Sequence, residues 1–78
     1  MEELLAYLAR NLVDRPDEVR VERTERDGAV VLRLHVAEED IGKVIGRQGR
    51  TAQAMRTIVA TTAELEGIKV TLEFRDQE

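Results

Sequence analysis

Apolar residues recur along this chain with two periods, and each change of period marks an element. Leu4, Leu5, Leu8, Leu12 and Val13 fall at helical spacing. A first helix is therefore expected over residues 2–14, ended before Pro16, whose ring disfavours helical geometry in the residue preceding it. Val19 and Val21 then alternate with charged neighbours, and Val30, Leu32, Leu34 and Val36 alternate with Val31, Arg33 and His35. Period two with one apolar face reads as two half-buried strands. Between them Asp27-Gly28 tolerates the positive φ angles that a type I′ turn demands. Counting back from that turn pairs Val21 with Leu34, Val19 with Val36 and Glu22 with Arg33, which sets apolar against apolar and acid against base.

After the hairpin, Glu38, Glu39 and Asp40 stand where a short helix begins. Their negative charge favours the helix dipole, and Gly46 is expected to end the helix. A third helix is expected over residues 50–66, closed by Gly67. Ile68, Val70, Leu72 and Phe74 then alternate with Lys69, Thr71, Glu73 and Arg75 as a last strand. The order is α-β-β-α-α-β. A crossover through two helices returns the last strand parallel to the second, which predicts an α+β domain: a three-stranded mixed sheet, second strand central, covered on one face by three helices and wet on the other.

Composition narrows the function. At 78 residues the chain fits one small domain. With no cysteine and one histidine it cannot build a thiolate or multi-imidazole metal centre. Its start, Met1-Glu2-Glu3, has no basic leader region and no long apolar run follows, so a cytosolic protein is expected. A net charge of −4 argues against a uniformly basic nucleic-acid binder. The distribution of charge changes that picture, because from residue 41 to residue 57 the ionisable residues are Lys43, Arg47, Arg50 and Arg56, all cationic. A local basic patch on an acidic body suits a few phosphates and predicts modest, salt-sensitive affinity.

Inside that patch the chain reads Ile-Gly-Lys-Val-Ile-Gly-Arg-Gln-Gly-Arg-Thr from Ile41 to Thr51. Gly46 and Gly49 frame Arg47 and Gln48 as G-x-x-G, and glycines at both ends let a backbone come close to a phosphate. No G-x-x-x-x-G-K-[ST] occurs, and no G-x-G-x-x-G follows a strand, so nucleotide hydrolysis has no support and no enzyme is expected. The only aromatics, Tyr7 and Phe74, are assigned to packing, which excludes a sheet that stacks bases on aromatic platforms. His35 is expected on the wet face as a surface histidine, beyond reach of a nucleophile or a carboxylate pair.

The element order, with G-x-x-G between the second and third helices, resembles a type II K-homology (KH) domain over the whole chain, 1–78. The segment Ile41 to Thr51 on a small acidic body is similar to the KhpA family of small bacterial RNA-binding proteins. That resemblance implies an RNA chaperone or post-transcriptional regulator that holds single-stranded RNA in the cytoplasm without a cofactor, as a homodimer or with a KhpB-type KH protein. It implies that Gly46 and Gly49 permit close approach and that Arg47 and Gln48 make the contacts. Lys43 and Arg50 add charge, and the positive end of the third helix favours phosphate. Ile41, Val44 and Ile45 are candidates to line a groove for bases, positions equally suited to the core. Two departures bear on selectivity: Ala52 stands where many KH domains carry a branched aliphatic, and the link Glu66-Gly67 is very short. Low sequence specificity is expected.

The third helix carries a wide apolar arc. Ala52, Ala54, Met55, Ile58, Val59, Thr62, Ala63 and Leu65 span about half its circumference, more than the ~100° stripe one core contact needs. Ala54, Ile58 and Leu65 lie at one margin and are candidates for a homodimer surface. A protein-interaction adaptor with a vestigial loop is the alternative function, distinct from RNA binding only if the loop is inert.

Overall fold

Strand β2 (Ala29–Val36) is the centre of a three-stranded sheet, with β1 (Arg20–Arg26) antiparallel on one side and β3 (Val70–Asp76) parallel on the other. This computed structural model describes residues 1–76. Helices α1 (Glu2–Arg10), α2 (Ile41–Ile45) and α3 (Arg50–Leu65) complete the expected order, with single 3₁₀ turns at Pro16–Glu18, Glu38–Asp40 and Arg47–Gly49. Asp27 and Gly28 both take positive φ, 54° and 79°, as a type I′ turn requires. The turn sets the register derived from sequence: Val21 faces Leu34 and Glu22 faces Arg33. The ladder stops at Arg20 and His35, one step short of the anticipated Val19–Val36 pair.

Burial along β2 alternates residue by residue. Val30, Leu32, Leu34 and Val36 are buried with Leu5 and Ala9 of α1, Val44 of α2, Met55 and Val59 of α3, and Leu72 of β3. Each period-two strand thus contributes one face and each helix one stripe to a single core.

Helix α1 is shorter than its apolar pattern suggests. It ends at Arg10 because Asn11 caps it, donating from Nδ2 to the Tyr7 carbonyl at 2.8 Å, while Leu12 N–H bonds the Ala9 carbonyl at 2.9 Å. The chain beyond turns away to meet Asp40. Tyr7, assigned to packing from the sequence, is 61% exposed; it lies off the α1 stripe that carries buried Leu5 and Ala9.

Asp40 also departs from its expected role. Its carboxylate is fully buried rather than displayed at a helix start, and it accepts backbone N–H bonds from Asp14 at 3.3 Å and Arg15 at 3.0 Å. Of the other two acids, Glu39 Oε2 lies 3.3 Å from Arg15 Nη2.

On the open sheet face, Arg33 donates from Nε to Glu73 at 3.1 Å and its Nη1 lies 3.9 Å from Glu22. His35 is better covered than a lone surface histidine, its side chain 13% exposed and its Nε2 donating to Glu22 Oε1 at 2.9 Å. The register explains the contact, since Glu22 sits diagonal to His35 across the antiparallel pair. That bond is the first cause holding the Glu22 carboxyl below the usual carboxylate range, with Arg33 adding to it. A lowered folded-state value means that the contact supports the fold above the ordinary carboxylate range and is lost as pH falls through Glu22's own value.

Candidate nucleic-acid interface

The turn between α2 and α3 is built from three residues in left-handed or glycine-only backbone geometry. Gly46 ends α2 at φ 78°, ψ 173°, a region closed to side-chain-bearing residues. A Cβ there would stand 2.7 Å from Thr51 Cβ and 2.9 Å from Thr51 N, and would also meet Thr51 Oγ1. Conformation and close approach therefore both demand glycine. Gln48 (φ 56°) and Gly49 (φ 73°) follow in the left-handed region, and Gly49 N–H closes the turn on the Gly46 carbonyl at 3.1 Å. Gly49 has open space around it, so only its backbone angle calls for glycine.

This geometry pushes the two central side chains outward. Arg47 and Gln48 are exposed, and among the described residues nothing pairs with the Arg47 guanidinium. Arg50, also exposed, donates from Nη2 to Gln48 Oε1 at 3.1 Å, so Gln48 and Arg50 share one small polar surface beside Arg47. The start of α3 has no side-chain cap; Arg50 N–H bonds the Arg47 carbonyl, and the positive end of the helix dipole lies at the same loop.

The remaining sequence candidates separate into two groups. Lys43 is not aimed at the loop: its Nζ lies 3.2 Å from Asp14 Oδ2 and 3.8 Å from Asp40 Oδ1. Val44 is fully buried in the core and out of reach of a base, because the α2 stripe must cover the sheet. Ile41 and Ile45 are half-buried, Ile41 against the core. Ala52, in the first turn of α3, is buried. At the other margin of α3, Ala54 is exposed, Ile58 is 42% exposed and Leu65 85%.

Sequence reasoning did not isolate the cleft between α3 and β3. Arg56, Val59 and Ala60 on the helix face Val70, Thr71 and Leu72 on the strand across 230 Å³ of open space. A further 680 Å³ continues toward Glu64, Gly67 and Ile68. Arg56 holds its guanidinium carbon 5.0 Å from the centre of the Phe74 ring, a cation–π contact that keeps a positive charge at the cleft wall. The signal was present in the sequence as the i, i+4 pair Arg56 and Ala60 on the flank of the apolar arc. The parallel return of β3 turns that flank into a groove wall.

A three-stranded mixed sheet under three helices, with a glycine-framed turn joining the last two helices, is the type II KH fold. The chain belongs to the family described as KhpA/KhpB, KH domain, which matches residues 2–74. It is 49% identical to "RNA-binding protein KhpA" of Treponema pallidum over 96% of this chain and 94% of that one. To the protein of the same name in Bacillus subtilis it is 46% identical over 97% and 94%, and to that of Chlamydia pneumoniae 43% over 99% of both. Among solved structures, Era in complex with MgGDPNP and nucleotides 1506–1542 of 16S ribosomal RNA superposes with a TM-score of 0.66 at 21% identity, over 96% of this chain and 29% of that one. That likeness is one of fold.

Proposed function

We propose that this protein binds single-stranded RNA by its backbone, with Arg47 and Gln48 as the contacting pair, Arg50 as supporting charge, and Gly46 and Gly49 as the positions that let a phosphate approach. The observation that carries the reading is the turn itself, where Gly46 is sterically obligatory and the two side chains it presents are exposed. The name of the curated relatives supports the RNA class. From the loop a strand would run along the α3–β3 cleft past Arg56 toward the apolar walls at Ala60 and Val70. Apolar walls, and a cleft lining without an aromatic among the described residues, favour loose accommodation of bases over readout, hence low sequence specificity. A role as RNA chaperone or post-transcriptional regulator in the cytoplasm fits that binding mode, and no helix among the described residues is long and apolar enough to cross a membrane. An adaptor with an inert loop is not favoured, because it leaves the geometry of Gly46 and the exposed Arg47 without a task.

The test is a salt titration with unpaired and duplex RNA of equal length. Single-stranded RNA should bind better, and log K should fall against log salt with a slope of about −0.7 per phosphate neutralised. Tighter binding to the perfect duplex, or an affinity that salt leaves unchanged, would contradict the proposal.

Self-association forms the second part of the reading. Ala54, Ile58 and Leu65 lie on the α3 margin remote from the cleft, so two copies joined there would leave both RNA sites open. Pairing would place two weak sites in one particle and raise avidity for long RNA. The same margin is the surface offered to a KhpB-type KH protein. Ile58→Asp is expected to give a folded monomer with weaker binding to long RNA and nearly unchanged binding to a short oligonucleotide. Light scattering showing the parent already monomeric at high concentration, or unfolding of Ile58→Asp, would remove the dimer from the account.

A further inference from the structure

Helix α2 is five residues long and includes Gly42, too short to be stable on its own. Yet it sets the start of the loop, since Gly46 is its last cap and Gly46 N–H bonds the Gly42 carbonyl at 2.9 Å. Something outside α2 must fix its orientation. Asp40 occupies the N-cap position of α2, where an aspartate ordinarily bonds the first-turn N–H groups of its own helix. Its side chain makes no such bond. It turns instead to the segment between α1 and β1 and accepts from Asp14 N–H and Arg15 N–H at 3.3 and 3.0 Å. One turn later, Lys43 reaches back to the same place, 3.2 Å from Asp14 and 3.8 Å from Asp40. The buried carboxylate has three donors around it, and among the described residues no buried side-chain polar atom lacks a partner.

We infer that Asp40 and Lys43 are positioning residues for the RNA loop. They clasp α2 to the α1–β1 segment, and Lys43 is a strut of this clasp rather than a phosphate ligand. The inference rests on the RNA-binding reading of the loop but makes a separate claim about RNA-free protein. A conformational clasp is felt by the backbone it holds, whether or not RNA is present. A cationic ligand is felt in the salt dependence of binding.

Two variants separate these roles. In Asp40→Asn the amide nitrogen cannot accept an N–H bond, so one of the two backbone donors loses its acceptor. Amide resonances of Gly46 to Arg50 in RNA-free Asp40→Asn are expected to shift or broaden while those of Leu32, Leu34 and Val59 stay in place. RNA affinity, read well below the melting temperature, should fall by roughly tenfold, the low end of what outer supports of a binding site contribute. Lys43→Met, on an exposed side chain, keeps the fold available if Asp40→Asn does not fold. It should disturb the same loop amides and weaken RNA binding without changing the salt slope, whereas Arg47→Met should lessen the slope by about 0.7.

Amide changes confined to the immediate neighbours of residues 14, 15, 40 and 43 would overturn the inference. So would a salt slope reduced in Lys43→Met as much as in Arg47→Met, which would make the lysine a ligand. Failure of Arg47→Met to alter the slope would instead tell against the assignment of the RNA site, while the RNA-free amide measurement still decides the clasp.

Discussion

Replacing Arg47 and Gln48 together by aspartate is expected to abolish RNA binding in a protein that remains folded. The substitution removes one positive charge and adds two negative ones where the backbone of the strand is proposed to lie, a local change of three charges. Each charge at contact distance from a phosphate in water is worth about 1 kcal/mol. The sum of roughly 3 kcal/mol corresponds to a loss of more than a hundredfold, and more if the site sheds water on binding. The fold should not notice. Both side chains are exposed, and the one hydrogen bond lost, from Arg50 to Gln48 at 3.1 Å, is a surface contact. The left-handed backbone of Gln48 (φ 56°) is a conformation that aspartate tolerates better than most residues. Circular dichroism should overlay that of the parent, and gel shift with an unstructured oligonucleotide should show no complex. Parental affinity in a folded double variant would remove Arg47 and Gln48 from the site.

How far the sequence reveals such a site depends on the distance over which its parts interact. The loop was legible because its glycines, its charges and the helices around it are contiguous. The hairpin was legible because Asp27-Gly28 fixes a register in which Val21 meets Leu34 and Glu22 meets Arg33. Even the parallel return of β3 follows from the handedness and length of the crossover. Asp40 shows the limit. A run of three acids before a helix has a sufficient local explanation in the dipole, and nothing near residue 40 signals that Asp14 and Arg15, 26 and 25 positions away, present their N–H groups to it. The ion pair of Lys43 was hidden for the same reason: within its own segment it is one cation among four, and Asp14, 3.2 Å from its Nζ, belongs to another loop. Tyr7 departs for another reason, as does the close cover of His35 on the open face where it was expected. Residue type predicts burial only on average, and the helix stripe and strand register decide which neighbours each ring meets.

Core packing on the central strand gives the largest expected effect on stability. Leu32→Ala should melt far below the parent, while Val31→Ala, one residue away, should melt close to it. Leu32 is fully buried on the central strand, between β1 and β3, with Leu72 at the adjacent position. Truncating such a side chain typically costs about 2–5 kcal/mol, because the site collapses only in part around the cavity. A domain of this length has only roughly 4–12 kcal/mol to lose. At about 4–8 °C per kcal/mol for a domain of this size, a 3 kcal/mol loss lowers the melting temperature by roughly 12–24 °C. Val31 points to the open face and is half-buried, so its truncation should cost under about 1 kcal/mol. The pair also tests how stability and binding are connected. Val44 and Ala52, which flank the loop in sequence, are buried, but neither Leu32 nor Val31 belongs to the loop or the cleft. Measured well below both transitions, RNA affinity should therefore match the parent in both variants, and it should fall in Leu32→Ala only as the temperature approaches its melting point. Equal melting temperatures for the two variants would contradict the alternation of β2 on which the architecture rests, and an affinity lost at low temperature in folded Leu32→Ala would mean that the loop depends on the packing of the central strand.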